Sequence, residues 1–465
     1  MQDKLKKLKP ESAKYAKNEA GMAQLFADCK NSTILFCPEK KLWYTYHNGT
    51  WKADTGNINI ANEICKFCNE ELMLYAIGIT DEDKRRKFID FINNKLGNRK
   101  FRDSMQKDVA DKLAIRAERF DNDPYLLNVK NGTINLRTME FKQHDPKDYL
   151  TMQTRAEFSD EAEDSKWNEF IKAITEQNEQ KADYLQRALG YSISGENTQD
   201  CMFILYGKST RNGKSTLLNA IQYLLGDYST VTKTELITRT GRTTADAPQS
   251  QLASLKGKRF VTMSETQDTN KLNEAAIKQY TGGEEITARE LYERRIVFQP
   301  QFTLWLSCNI LPEVRDRSIF ASDRVRVIEL NRHFSEAEQD RTLKQYFRSQ
   351  KAMKAILTWL LQGYNSYKIK QLKISEELKQ ATRKYERDND LVRQFLEDRT
   401  VPVDEGYVKA KSLYEAFKKW GEEYDCIKIS AKKFYAELSQ HPELIGKRVT
   451  LKGYPHYSKI ALKPP

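Results

Sequence analysis

The sequence predicts an α/β fold with a parallel-sheet core, and three observations support this. Four short, mainly apolar runs between residues 200 and 335 alternate with helical patterns, as expected of strands that are buried on both faces. The first run leads into a glycine-bounded loop that carries a lysine, and an amphipathic helix follows it. The flanking regions differ, because the N-terminal side mixes strands and helices whereas the C-terminal side is helical and then basic.

Length and charge limit the possibilities further. A chain of 465 residues suits about three domains at the usual ~150 residues each. Apolar residues make up 39% and charged residues 31%, which is typical of a globular protein. The net charge of +12 favours a polyanionic partner, with nucleic acid as the first expectation. A basic surface without a ligand is the alternative that charge alone leaves open.

The chain shows no targeting or membrane signal. No run approaches the ~20 apolar residues of a membrane span, and the first residues lack the apolar core of a signal peptide. We therefore expect a cytoplasmic protein, in a bacterial host cell, without a membrane partner. The seven scattered cysteines fit reduced thiols. Cys65 and Cys68 form a CxxC, which we interpret as two core positions on one helix face rather than as half of a zinc site.

The pattern predicts five consecutive regions. They are an α+β domain (1–160), a helical collar (161–195), the α/β core (196–335), a helical region (336–395) and a small basic module (396–465). In the first region, strands are predicted at 33–36, 42–46, 125–129 and 133–136, with Asn-Gly turns that indicate hairpins. In the last region, two helices followed by a two-stranded ribbon predict a winged-helix-like module.

The most informative segment is the loop from Gly207 to Thr216, which follows the strand Met202–Tyr206. Strand, glycine-bounded loop, Gly-Lys-Ser and helix is the layout of a phosphate-binding P-loop. Lys214 would reach the β- and γ-phosphates of a nucleotide, and the Ser215 hydroxyl would bind Mg²⁺. Five residues separate Gly207 from Gly213, one more than usual, so a charged turn is the alternative reading.

An apolar strand predicted at 259–263 leads to Glu265, about where the acidic strand of such an ATPase would end. A carboxylate there can polarise the attacking water or hold Mg²⁺ through water. The alternative is an acid that caps the next helix. A later segment carries basic residues around a Gly-Gly turn and is predicted to grip a phosphate backbone through Lys278, Arg289, Arg294 and Arg295. A charged hairpin neutralised by its own glutamates remains open.

Two more positions complete the series. The strand predicted at 302–307 is followed by Asn309, whose amide can contact a γ-phosphate or orient water, or can simply begin the next turn. Arg324, with Arg326 as second choice, begins the last apolar strand. An arginine there can reach the nucleotide of a neighbouring subunit and stabilise transition-state charge. The alternative is an arginine in a surface salt bridge.

In this order, the motifs resemble those of the superfamily 3 helicases, and more closely the helicase part of the phage/plasmid-type primase-helicase proteins. The matching segments are Asn212-Gly213-Lys214-Ser215-Thr216, Ser264-Glu265, Thr281-Gly282-Gly283, Asn309-Ile310-Leu311-Pro312 and Asp323-Arg324-Val325. Residues 128–136 and the tail from Tyr385 resemble the flanking domains of the same family, so the likeness covers most of residues 30–465.

The resemblance implies an AAA+-like P-loop motor that forms a hexameric ring, hydrolyses ATP with Mg²⁺ and unwinds DNA during replication of a phage, plasmid or mobile element. Single-stranded or forked DNA and replication proteins would be its partners. Lys214, Glu265, Asn309 and Arg324 would be catalytic, and Gly207, Asn212, Gly213, Ser215 and Thr216 would complete the nucleotide site. Only about 200 residues precede the loop and they match the pre-motor domain, so we expect no primase domain.

Two rival functions stay open. One is a replication initiator or loader that uses ATP as a switch and binds DNA without processive unwinding. The other is a DNA-binding protein whose P-loop is vestigial.

Overall fold

The computed structural model describes residues 1–239, 247–264, 271–289, 295–314, 316–424 and 429–463, without the side chains of residues 247–249. Within the described residues, no helix combines the length and the apolar composition that a bilayer crossing requires.

The N-terminal region packs helices around a small antiparallel sheet. Its strands, in the order β1-β2-β3, are β1 (Ile34–Cys37), β2 (Leu42–His47) and β3 (Thr50–Asp54). The turn between β2 and β3 has positive φ at Asn48 and Gly49, which is the hairpin geometry that the Asn-Gly pair predicts. The helices are α1 (Gln2–Leu8), α2 (Glu19–Lys30), α3 (Ile58–Lys66), α4 (Leu72–Ile77), α5 (Glu82–Phe91) and α6 (Arg99–Lys112).

The two cysteines of the CxxC differ in environment. Cys68 is fully buried in the N-terminal core, whereas Cys65 is half-buried and accepts a hydrogen bond from Asn69, so the prediction of two core positions is wrong for Cys65. Among the residues that the structure describes, no group of three His, Cys, Asp or Glu side chains is placed to hold a metal ion.

A second small sheet packs against the central region. It contains β4 (Leu126–Val129), β5 (Gly132–Asn135) and β6 (Glu140–Lys142), of which the sequence did not predict β6. Leu127 and Ile134 are fully or almost fully buried in the same apolar core as Phe203 and Leu205 of the central sheet. The packing thus groups the later part of the predicted first region with the α/β core.

The central sheet has five parallel strands in the order β13-β7-β12-β9-β8. The strands are β7 (Met202–Tyr206), β8 (Ser229–Val231), β9 (Phe260–Ser264), β12 (Thr303–Cys308) and β13 (Val325–Glu329); β10 (Ile286–Arg289) and β11 (Arg295–Phe298) form a separate antiparallel pair. Two helices precede the central sheet, namely α7 (Ser165–Ile174) and α8 (Glu179–Tyr191). The helices that lie between its strands in the sequence are α9 (Lys214–Leu225), α10 (Ala247–Ala253), α11 (Glu274–Thr281) and α12 (Ser318–Ala321).

Three helices follow the sheet, namely α13 (Leu343–Tyr346), α14 (Gln350–Lys370) and α15 (Glu376–Asp388). The long helix α14 crosses α8 where two glycines meet: a Cβ on Gly363 would lie 2.2 Å from the Gln186 carbonyl oxygen, and one on Gly190 would lie 2.2 Å from the Tyr364 nitrogen. The absence of side chains at this crossing therefore allows the two backbones to pack directly.

The C-terminal module contains three helices and a three-stranded antiparallel sheet in the order β14-β16-β15. Its elements are α16 (Leu391–Arg399), β14 (Thr400–Lys409), α17 (Ala410–Glu423), α18 (Ala431–Leu438), β15 (Arg448–Leu451) and β16 (Tyr454–Leu462). The sequence predicted the helices and the ribbon but not β14. That strand contains Pro402, Asp404 and Gly406, which are depleted in strands, and its ladder is interrupted between Pro402 and Tyr407.

Candidate functional site

The loop between β7 and α9 is shaped by two glycines. Gly213 has a φ of 83°, in the left-handed region, and immediately precedes the first residue of α9. A Cβ on Gly207 would lie 2.2 Å from the Asn212 side-chain nitrogen and 2.5 Å from the Leu330 carbonyl oxygen. The loop therefore folds tightly back on itself, and the twelve-residue helix α9 begins directly after it.

Lys214, the first residue of α9, is buried within this loop. Its Nζ donates to Oδ1 of Asn309 (2.9 Å), to Oδ1 of Asn212 (3.0 Å) and to the Gly207 carbonyl oxygen (3.3 Å). Asn212 is itself buried and donates to the Ser209 carbonyl oxygen. Burial lowers the pKa of Lys214, because leaving water disfavours the charged ammonium. An anion at this point would offset that cost.

A cavity of about 670 Å³ opens over the start of α9. One wall is the loop, from Arg211 to Thr216. The other walls are α7 and the segment after β13, which contribute Lys166, Glu169, Phe170, Ala173, Phe334, Glu338, Gln339, Asp340, Arg341, Leu343 and Lys344. Ser215 is exposed on the first turn of α9, so its hydroxyl is accessible to a ligand.

These residues fit the chemistry of a magnesium nucleotide. The site offers a buried ammonium, the amide groups at a helix N-terminus and a hydroxyl, which together suit a polyphosphate and a hard cation. Of the loop residues predicted to bind a nucleotide, Asn212, Gly213, Lys214, Ser215 and Thr216 line the cavity, whereas Gly207 contacts Lys214 without lining it. The volume also leaves room for more than phosphate.

The additional loop residue has a structural context that the sequence did not reveal. Arg211 adopts a φ of 61°, which is uncommon for a residue with a side chain. Its carbonyl oxygen accepts a hydrogen bond from the Phe334 N–H at 2.9 Å, and the Thr210 carbonyl oxygen lies 2.9 Å from Nδ1 of His333. The longer loop is thus bonded to the segment that forms a wall of the cavity.

The structure brings Asn309 to the site because β12 lies beside β7 in the sheet. Asn309 directly follows β12, so its amide reaches Lys214 from the neighbouring strand end. Glu265 lies outside the described residues. Strand β9 ends one residue earlier at Ser264, which pairs in register with Ser307 of β12.

Both candidate arginines are bonded within their own chain. Arg324 donates to the Thr281 hydroxyl at 2.8 Å and to the Lys278 carbonyl oxygen at 3.3 Å, and it lies 3.6 Å from Asp200. Arg326 donates to the Leu372 carbonyl oxygen at 2.8 Å. Neither residue lines the cavity around Lys214.

The predicted basic hairpin is present as β10 and β11. Arg289 and Arg295 are exposed and directly opposite each other, as the last pair of the ladder, and residues 290–294 between them lie outside the described residues. Lys278 lies on α11 and bonds to Asp316 at 2.8 Å and to Ser318, whereas Arg294 lies outside the described residues.

Sequence reasoning missed the walls of the cavity. Phe170 and Phe334 are separated by most of the α/β core along the chain and meet the loop only through tertiary packing. Arg341 and Lys344 lie in a charged helical stretch, where no motif distinguishes them from other surface residues. Only the amphipathic pattern of 166–174 indicated that α7 has a buried face.

The chain matches three family models. They are described as D5 N terminal like (residues 23–176), a family of unknown function (205–326) and poxvirus D5 protein-like (387–453). Together with helicase- and primase-named viral relatives, these matches fit the phage/plasmid-type primase-helicase family, and assignment to superfamily 3 is consistent with them. The resemblance expected from the sequence is thereby confirmed.

Relatives in large viruses carry names that refer to nucleic-acid enzymes. The chain is 26% identical over 415 residues to "Putative helicase L207/L206" of Acanthamoeba polyphaga mimivirus, covering 82% of this chain and 43% of the relative. It is 24% identical over 353 residues to "Putative primase C962R" of African swine fever virus (isolate Tick/Malawi/Lil 20-1/1983), covering 70% and 35%. The chain thus spans less than half the length of these relatives.

A solved structure has a comparable fold. The apo structure of the NrS-1 C terminal region aligns with a TM-score of 0.50 at 11% sequence identity, covering 92% of this chain and 95% of that one. At this identity the likeness concerns the fold alone. It agrees with the mixed α/β architecture around a parallel sheet that the sequence predicts.

Proposed function

We propose that this chain is an ATP-dependent DNA helicase of the ring-forming superfamily 3 type, which unwinds duplex DNA during replication of a phage, plasmid or mobile element. The observation that carries the proposal is the contact of Lys214 with Asn309 at the start of α9, beside a cavity large enough for a nucleotide. The helicase names of the viral relatives support the same class of activity.

In this proposal, the loop from Gly207 to Thr216 is a P-loop. Lys214 holds the β- and γ-phosphates of ATP, and the Ser215 hydroxyl binds Mg²⁺, which would neutralise charge on the transferred phosphoryl group. Asn309 contacts the γ-phosphate or orients water. Glu265 acts as the base that activates the water.

Arg324 acts on the ATP of the next subunit, so the active form contains adjacent subunits. The expected assembly is a hexameric ring. DNA is held by Lys278, Arg289, Arg294 and Arg295. The C-terminal module is assigned as winged-helix-like, because a helix, a strand, two helices and a β-ribbon follow one another around a single core.

The test is strand displacement on forked DNA, with ATP hydrolysis measured in parallel. We expect Lys214→Ala to abolish both activities. Lys208→Ala is the matched control, because Lys208 is an exposed lysine of the same loop and takes no part in the hydrogen bonds that join Lys214 to Asn212 and Asn309. Activity that survives in Lys214→Ala would refute the proposal. Hydrolysis stimulated by DNA without strand displacement would instead favour the initiator or loader function.

A further inference from the structure

The hairpin at the end of the C-terminal module has a tight, defined turn. Strands β15 and β16 are joined by Lys452 and Gly453, both with positive φ (50° and 80°), and Leu451 pairs with Tyr454 across the turn. Two successive positive φ values define the type I′ turn, whose twist matches that of the flanking strands. The backbone conformation of the turn therefore fixes the direction in which the tip points.

The tip exposes apolar side chains that the core of the module does not use. Tyr454 is 64% exposed and Leu451 is 37% exposed. Neither belongs to the apolar core of this module, which contains Phe395, Phe417 and Phe434. A tyrosine ring that is exposed at the end of a hairpin offers a flat surface to a ligand.

One lysine contacts this ring, and other basic residues lie along the same hairpin. Between residues 444 and 459 there are four lysine or arginine residues and no acidic one, and all four are exposed: Lys447, Arg448, Lys452 and Lys459. Exposed Lys409, at the end of β14, places its Nζ 5.7 Å from the centre of the Tyr454 ring. This contact orients the ring and keeps an ammonium group beside it.

We propose that this hairpin tip is a binding site for single-stranded nucleic acid, in which an unpaired base stacks on Tyr454 while Lys409 and Lys452 contact the adjoining phosphates. An aromatic surface combined with lysines is the arrangement that binds single strands without reading sequence. Duplex DNA fits less well, because its bases are already stacked and present only their edges. The site lies in the C-terminal module, apart from both the nucleotide cavity and the β10–β11 hairpin.

The same sheet provides a matched control. Tyr407 on β14 is 57% exposed, much like Tyr454. However, it lies at the irregular part of the ladder, beside Asp404 and Glu405, where negative charge would repel a phosphate backbone. Replacing either tyrosine removes an exposed aromatic ring from the same sheet, so the two variants differ mainly in surrounding charge.

The experiment measures binding of the full chain to fluorescein-labelled single-stranded oligothymidine and to a blunt duplex, by fluorescence anisotropy without nucleotide. We expect Tyr454→Ala to weaken single-strand binding about tenfold, the effect of losing one stacked base, and to change duplex binding less than about twofold. Tyr407→Ala should leave both unchanged. Equal effects of the two variants, or an equal loss of duplex binding in Tyr454→Ala, would overturn the proposal.

Salt dependence tests the lysines separately. Lys452→Ala should reduce the slope of log affinity against log salt concentration by about 0.7, the value for one phosphate contact on a single strand. An unchanged slope would remove Lys452 from the site. The choice of DNA as ligand rests on the proposed function, but the outcomes are independent: Lys214→Ala tests hydrolysis, whereas Tyr454→Ala should leave hydrolysis without DNA unchanged.

Discussion

Nζ of Lys214, at the start of α9, lies 2.9 Å from Oδ1 of Asn309, which directly follows β12 and is 95 positions away in the sequence. The asparagine is a neutral acceptor, so it orients the buried ammonium without cancelling its charge. The acceptors that Lys214 now contacts are all uncharged, so a phosphate that enters the site can replace them as the partner of the ammonium group. The contact joins the start of α9, directly after the loop that follows β7, to the residue that follows β12.

Replacing Asn309 by aspartate tests this relationship with almost no change in shape. We expect Asn309→Asp to weaken ATP binding and to lower hydrolysis at least about tenfold. The new carboxylate would form an ion pair with buried Lys214 and would repel the γ-phosphate. Nucleotide affinity and steady-state hydrolysis are the measurements. Asn331→Asp, an exposed substitution after β13, is the control, and equal behaviour of the two variants would contradict a role for Asn309 in the site.

Replacing Arg324 and replacing Arg326, both near the start of β13, should affect ATP hydrolysis differently. Arg324→Ala is expected to lower hydrolysis by about 10³-fold while the chain stays folded, if Arg324 acts on the neighbouring subunit's ATP. Arg326→Ala removes the bond to the Leu372 carbonyl oxygen, and Arg324→Ala removes the bond to Thr281, so we expect both variants to lower the Tm but only Arg324→Ala to lower hydrolysis by that factor. Hydrolysis and thermal unfolding of both variants distinguish these outcomes.

Mixing Lys214→Ala subunits with Arg324→Ala subunits tests the role of Arg324 through a gain of ATP hydrolysis rather than a loss. A Lys214→Ala subunit still carries Arg324, and an Arg324→Ala subunit still has an intact Lys214. Mixed rings should therefore regain part of the hydrolysis that each variant lacks alone. No recovery in a mixture that still assembles would count against action between subunits.

The central strands could be predicted because burial on both faces makes a sequence continuously apolar. Strand β7 occupies the predicted residues 202–206, and β12 is displaced from its predicted position by a single residue. Strand β14 was missed because Pro402, Asp404 and Gly406 interrupt its apolar pattern, and because its partner within the described part of the sheet is β16, about 50 residues later in the chain. Its pairing depends on a contact distant in sequence, which local patterns do not encode.

The candidate site divides in the same way. Lys214, Ser215 and Asn309 could be predicted because a phosphate site needs particular residue types at particular spacings. The walls formed by Phe170 and Phe334 could not, since any apolar residue of suitable size would serve. The bond between Arg211 and Phe334 was also inaccessible, because it joins two backbones and leaves no signal in the side chains.

The crossing of α8 and α14 should tolerate no additional atom. We expect Gly363→Ala to destabilise the protein by roughly 1–3 kcal/mol, the usual cost of overpacking, because its Cβ would lie 2.2 Å from the Gln186 carbonyl oxygen. Thermal unfolding measures the change. Gly421→Ala in α17 is the control: nothing lies within 4 Å of that Cβ, and alanine in a helix should be neutral or stabilising. A stable Gly363→Ala protein would contradict this close packing.

The C-terminal module is attached to the central region through a buried cluster of charges. Asp390, at the start of α16, lies 2.6 Å from Arg317 and 3.0 Å from Nε2 of His441. Glu443 lies 3.5 Å from the other ring nitrogen. The adjacent Asp390 carboxylate raises the pKa of His441 above its usual value, although burial alone would lower it.

This cluster predicts a pH dependence of stability. A raised pKa in the folded state means that the stabilisation from charged His441 is fully present below the unfolded pKa of about 6.5. It is lost as the pH rises through the higher folded pKa. We expect the Tm of the wild-type chain to exceed that of His441→Asn by a few degrees at pH 6 and by less at pH 8.5. A difference that grows toward alkaline pH would show that His441 contributes as a neutral side chain.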